Sequence, residues 1–161
     1  MNFRFKILKY LFLDLPKKIK SNKIIHIKFN VGKDIILYDI LKYKFYCYKN
    51  YKYHHKYIPA VYSPAAAAWY YEGREHRKNG PAITYSDGGE EWIYYGKFHR
   101  KKGPAFNYKN RKYWLKFGIP HREDGPAIIE TGRIEWWVNG NKINCNSNEE
   151  FLRIKKIISF Y

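Results

Sequence analysis

Apolar and polar side chains alternate in short runs along much of the chain, the period-two pattern of strands with one covered face. Ile25, Ile27, Phe29 and Val31 interleave with His26, Lys28 and Asn30. Leu41, Tyr43, Phe45 and Cys47 interleave with Lys42, Lys44 and Tyr46. Residues 23–53 are therefore expected to supply N-terminal strands or a worn copy of the hairpins that follow. Ile83-Thr84-Tyr85 and Glu90 to Tyr95 read as partner strands around the turn chemistry of Ser86-Asp87-Gly88-Gly89. Helical spacing shows only at the two ends. Ile7, Leu8, Leu11, Phe12 and Leu15 fit a short helix ending before Pro16, inside a basic segment 1–22. Over 146–161, Ser147 and Glu150 form a capping box, Glu149 and Glu150 suit the positive helix start, and Phe151, Ile154 and Ile158 make one apolar stripe. A C-terminal helix is expected there, covering the last apolar face of a stacked array.

The hairpin pattern is periodic. Trp69, Gly73, His76, Arg77, Gly80, Pro81 and Ala82 recur as Trp92, Gly96, His99, Arg100, Gly103, Pro104 and Ala105, and again as Trp114, Gly118, His121, Arg122, Gly125, Pro126 and Ala127. A degraded copy precedes them, with His54-His55 before Pro59-Ala60, Cys47 in place of the Trp and Tyr51 in place of the Gly. A partial copy ends the array, where Trp136 and Gly140 persist but Ile143 replaces the His. A fixed period of this kind means stacked supersecondary units, here across 54–145. Proline lacks a backbone donor, so each Gly-Pro interrupts a ladder and lets a strand start after it. Ala keeps that entry tight, and Asn139-Gly140 is the strongest short turn signal in the chain. Ala65 to Ala68 follow Ser63-Pro64 where the next unit carries Asp87-Gly88-Gly89-Glu90-Glu91, so they read as a turn built from poor turn formers.

These residues resemble the MORN repeat superfamily, in the variant with His-Arg and Gly-Pro-Ala found in large DNA viruses, bacteriophages and some bacteria. The resemblance implies a mostly β fold: tandem β-hairpins forming an elongated, twisted antiparallel meander, with the C-terminal helix as a cap. It implies protein contacts and sometimes membrane association, and no catalytic site. Ordinary MORN units have a further Gly where Arg77, Arg100 and Arg122 stand, so lipid binding does not carry over with the motif.

Composition adds a direction. The formal charge is +17, and residues 1–58 hold +11 of it, with 14 basic against 3 acidic side chains. Such a field favours anionic partners and says nothing about fold. Lys, Asn, Ile, Tyr and Phe, all with A/T-rich codons, make up about half of the sequence and suggest an A/T-rich genome. No window approaches the roughly 18 apolar residues of a membrane span, and Leu11-Phe12-Leu13 is cut short by Asp14 and Pro16 without a secretory cleavage pattern. An intracellular or particle-borne protein is expected. Cys47 and Cys145 stand far apart, giving neither a zinc knuckle nor a disulfide framework.

The candidate residues each have two readings. His76, His99 and His121 look like metal ligands, but equivalent residues of units contributing two strands lie roughly 9–10 Å apart, too far to share one zinc at about 2 Å. Each is expected instead to fix its own loop by hydrogen bonds. Arg77, Arg100 and Arg122 are either a phosphate-reading ladder or cation–π partners of the aromatic side chains of their own hairpins. Stacking is favoured, because it accounts for the Gly-Pro-Ala behind each Arg. The five Trp are expected in the core, whereas Tyr70, Tyr71, Tyr94 and Tyr95 are expected on the other face, free for contacts. Lys17, Lys18, Lys20 and Lys23 have the least structural role and are the first place to seek an anionic partner. No G-x-S-x-G, P-loop or H-E-x-x-H occurs. The expected function is a non-enzymatic scaffold, without cofactor or small-molecule substrate, that contacts other proteins as a minor structural component of a large DNA virus or phage particle. The alternatives are a basic nucleic-acid-binding accessory protein and a peripheral membrane protein.

Overall fold

The computed structural model describes residues 26–31, 34–39 and 44–158. The proposed helix near residues 7–15 and the Lys17, Lys18, Lys20 and Lys23 cluster lie outside them.

The described residues form an antiparallel β structure with one helix towards the C-terminal end. Three long strands come first among the described residues: β1 (His26–Val31), β2 (Asp34–Asp39) and β3 (Lys44–Lys49). They pair in a simple meander, His26 opposite Asp39 and Asp34 opposite Lys49. The alternation read from the sequence marked β1 and β3. It missed β2, because Ile35-Ile36-Leu37 is a continuous apolar run with no period of its own. A short β4 (Lys52–Tyr53) folds back onto the end of β3.

From there the repeat sets the architecture. The main sheet continues through β5 (Val61–Tyr62), β6 (Ala66–Ala68), β9 (Ile83–Tyr85), β10 (Glu90–Glu91), β13 (Phe106–Tyr108), β14 (Arg111–Tyr113), β17 (Ile128–Glu130), β18 (Arg133–Val138) and β19 (Asn141–Ile143). Between its strands lie three two-residue hairpins: β7 (Tyr70–Tyr71) with β8 (Arg74–Glu75), β11 (Ile93–Tyr94) with β12 (Lys97–Phe98), and β15 (Leu115–Lys116) with β16 (Ile119–Pro120). Each unit thus owns one hairpin in the main sheet and one beside it.

The Trp position is where the chain leaves the main ladder. Glu90 to Tyr95 had been expected as one strand; it is two, broken at Trp92. The Trp92 N–H donates to the carbonyl of Ala105, the Ala of its own Gly-Pro-Ala, and Trp69 and Trp114 donate likewise to Ala82 and Ala127. That same Ala donates its N–H one unit onward, Ala82 to Glu91 and Ala105 to Tyr113. Each Ala is therefore a stitch between units, and Ala60, Ala82, Ala105 and Ala127 have no exposed surface at all. Trp136 has no Gly-Pro-Ala after it, and β18 accordingly runs through it unbroken.

Two local expectations are corrected. Ala66–Ala68 is strand β6, paired on both sides, with Ala67 buried. The turn lies earlier, where Ser63 and Ala66 exchange backbone hydrogen bonds and the Ser63 hydroxyl both donates to the Ala66 carbonyl and accepts from its N–H. Of the four alanines only Ala65 lies in the turn; the other three are the strand. Tyr70 faces inward, packing 5.3 Å from the Tyr53 ring beside the buried cluster of Phe45, Cys47 and Ala60 and donating to Glu75.

The helix α1 (Asn148–Ile158) seats on the third full unit. Phe151 is fully buried, and the Glu150 N–H donates to the Ser147 hydroxyl at 3.1 Å. Trp136 Nε1 donates to Asn148, Asn148 donates to the Asp124 carbonyl, and Lys155 Nζ reaches both the carbonyl and the carboxylate of Glu123. The earlier units carry Lys78-Asn79 and Lys101-Lys102 where this one carries Glu123-Asp124. That exchange of basic for acidic residues marks the helix's landing place.

Candidate interaction surface

The three arginines stack on the tryptophans of their own units. The guanidinium carbon lies 3.9 Å from the ring centroid for Arg77 on Trp69 and Arg100 on Trp92, and 4.0 Å for Arg122 on Trp114. Each also donates from Nη1 to the carbonyl of its own Pro, Pro81, Pro104 or Pro126, at 3.1–3.3 Å. The Gly before each Pro packs against the same guanidinium. A Cβ at Gly80, Gly103 or Gly125 would stand 3.0–3.3 Å from it. Trp, Arg, Gly and Pro are thus parts of one lock, with the cations held for stacking.

The histidines act across units, which corrects the expectation that each fixes its own loop. His54 Nδ1 accepts from the N–H of Glu72, His76 from Tyr95 and His121 from Asn139, at 3.1–3.3 Å. Each donor opens the turn of the next unit's small hairpin. Those turns place both central residues at positive φ: Glu72-Gly73, Tyr95-Gly96, Phe117-Gly118 and Asn139-Gly140, with Asn50-Tyr51 in the worn copy. This is the type I′ hairpin turn, for which Asn-Gly is the preferred pair. Spacing within one unit could not reveal this, since the bond joins residues 18 or 19 apart. His99 sits in the same place, stacked on Phe117 at 4.1 Å and 8°, with its Nδ1 buried and unpartnered. His55, which occupies an Arg position, bonds its own loop, accepting from the N–H groups of Tyr57 and Ile58.

Non-glycine residues in the left-handed region cost about 1–2 kcal/mol, least for Asn. At Tyr95 and Phe117 the strain is held by the preceding imidazole: Tyr95 stacks on His76 at 4.1 Å and 20°, as Phe117 does on His99. Tyr71 and Tyr94 join edge-on, Tyr71 to Tyr95 at 5.9 Å and Tyr94 to Tyr95 at 4.8 Å. The result is a ridge of rings across successive small hairpins, with Tyr71 41%, Tyr95 43% and Phe117 48% exposed. Cations stand opposite, Arg74 facing Tyr71 and Lys97 facing Tyr94, while Lys116 faces Ile119. Of the four contact candidates read from the sequence, Tyr71, Tyr94 and Tyr95 lie here; Phe117 and the cations were missed, although their spacing from each repeated Gly could have found them.

Burial lowers the proton affinity of His76; for His99 burial acts first, then the charges of Lys101 and Lys116. The Cys145 thiol is pushed up by burial and by Glu150, which makes it a poor nucleophile at neutral pH. Among the described residues no three His, Cys, Asp or Glu side chains gather to hold a metal ion. No helix there is long and apolar enough to cross a membrane. No family model, curated protein or solved structure matches the chain.

Proposed function

We propose that this is a non-enzymatic structural repeat protein that makes protein–protein contacts, a minor component of a large DNA virus or phage particle. One observation carries the reading. The signature Trp and Arg side chains lock their own units, and His54, His76 and His121 clamp each unit to the next, while the strands they hold stay half-covered: every residue of β9, β13 and β17 is only partly buried, and Arg111 and Lys112 of β14 are exposed. A single-layer sheet with so much side-chain surface left over is suited to being covered by a neighbour. The particle setting is supported by the signature's resemblance and by the A/T-rich codon usage that the composition implies.

Lysine cross-linking with mass spectrometry on native material tests it. Cross-links from Lys109 and Lys112 to one defined neighbour, surviving high salt, are expected. Cross-links only within the chain, or an association that dissolves as salt rises, would contradict the scaffold.

A further inference from the structure

We propose that the ridge of small hairpins is a binding surface for single-stranded nucleic acid, with bases stacking on Tyr95 and Phe117 and phosphates held by Arg74, Lys97 and Lys116.

Four observations point there, none resting on the scaffold reading. First, the two rings occupy turn positions where the worn and final copies carry Asn, the residue that tolerates positive φ best. Ring-bearing side chains at φ 49° and 52° are the more strained choice for making a turn, and beyond the face stacked on its imidazole each still leaves 43% or 48% of its surface exposed. Second, each ring is backed on one side by an imidazole, at 20° and 8°, so it is held in a fixed plane. Third, exposed cations flank the two rings, while Glu72 stands at the turn of the preceding hairpin. Arg74, Lys97 and Lys116 are exposed, and none has an ion-pair partner among the described residues. Fourth, the two rings hold the same turn position in successive units, two strands or roughly 10 Å apart, so the ridge runs along the repeat and suits a linear ligand.

Rings held between cations along a line are the recurrent platform for unpaired bases, whose flat faces stack without regard to sequence. A duplex conceals those faces and offers only phosphates. An acidic polypeptide would satisfy the cations but gives the rings no planar partner. The ridge thus favours a single strand over either.

The test uses the full chain and a fluorescein-labelled 20-mer oligothymidylate, read by anisotropy at low and moderate salt. The informative variant is Tyr95→Asn with Phe117→Asn. Asn already occupies the equivalent turn at Asn139, where His121 accepts its N–H, so this variant keeps the His76 clamp on residue 95. Its melting temperature is expected to stay at or above that of the parent, while affinity for the oligonucleotide falls at least tenfold. Tyr95→Phe should bind like the parent. Lys97→Gln with Lys116→Gln should weaken binding and flatten its salt dependence. The proposal is overturned if the Asn double variant binds as the parent does, or if no oligonucleotide binds at low salt. It is also overturned if a duplex of the same length binds equally well without the rings. Loss of binding only when Lys17, Lys18, Lys20 and Lys23 are neutralised would place the site elsewhere. Equal, ring-dependent capture of poly-glutamate would reassign the ridge to an acidic protein.

Discussion

At the scale of single residues, an aromatic ring and a planar cation form the lock that recurs in each full unit. Replacing Arg100 by Ala removes the stack on Trp92 and the donor to the Pro104 carbonyl together. The expected loss is about 1–3 kcal/mol, combining a partly desolvated cation–π contact with one charge-assisted hydrogen bond. Arg100→Lys should recover little of it, because an ammonium cannot lie flat on the indole while donating sideways. Urea denaturation of both variants checks this. The histidines make stability depend on pH. An Nδ1 that accepts a backbone N–H must be unprotonated, and burial lowers the proton affinity of His76 and His99 in the folded chain. The unfolded state then binds more protons, so stability is full above the unfolded value of about 6.5 and declines as pH falls through it. The melting temperature should drop between pH 7 and pH 5.5, less steeply for His76→Gln. Lower still, the Glu135 carboxyl, held at about 2 by Arg133 first and then by Lys142 and the Trp137 indole, gives stability that is lost as pH falls from about 4.3 through that value.

At the scale of elements, hairpins pack by close approach rather than through a thick core. Gly89 shows this most sharply, since a Cβ there would run into the Tyr108 ring, itself tilted against Tyr85 with ring centres 4.9 Å apart. Gly89→Ala should cost about 1–3 kcal/mol by overpacking, a shift readable by calorimetry. The fully buried Phe151 is the helix's large apolar anchor. Phe151→Ala should cost about 3–5 kcal/mol and raise amide exchange in β17, β18 and β19 more than in β9 and β10. The sequence was most informative at this scale, and its failures are instructive. The repeated Trp, Gly-Pro-Ala and turn residues declared hairpins because each constrains its own backbone. The His-to-turn bond was illegible because both partners satisfy a local pattern separately, and only stacking brings them together. Ala66–Ala68 misled because strand identity there comes from flanking β5 and β9, which no local propensity reports.

At the scale of the whole molecule, successive units touch mainly their neighbours, so stability should behave as a sum of unit and junction terms. Deleting residues 92–113, which joins Glu91 to Trp114 in register, should leave a folded and less stable protein. Deleting only half that length should unfold it, since the Ala stitch and the imidazole clamp would then face the wrong partners. Circular dichroism and thermal melts separate the two outcomes. The clamp between units is also what most directly distinguishes this architecture from a string of independent hairpins. Scalar coupling across hydrogen bonds, measured by NMR on nitrogen-15 labelled protein at neutral pH, observes it without mutation. The expected result is coupling from His76 Nδ1 to the amide of Tyr95 and from His121 Nδ1 to that of Asn139. Imidazoles protonated at Nδ1, or coupled to amides of their own units, would contradict it.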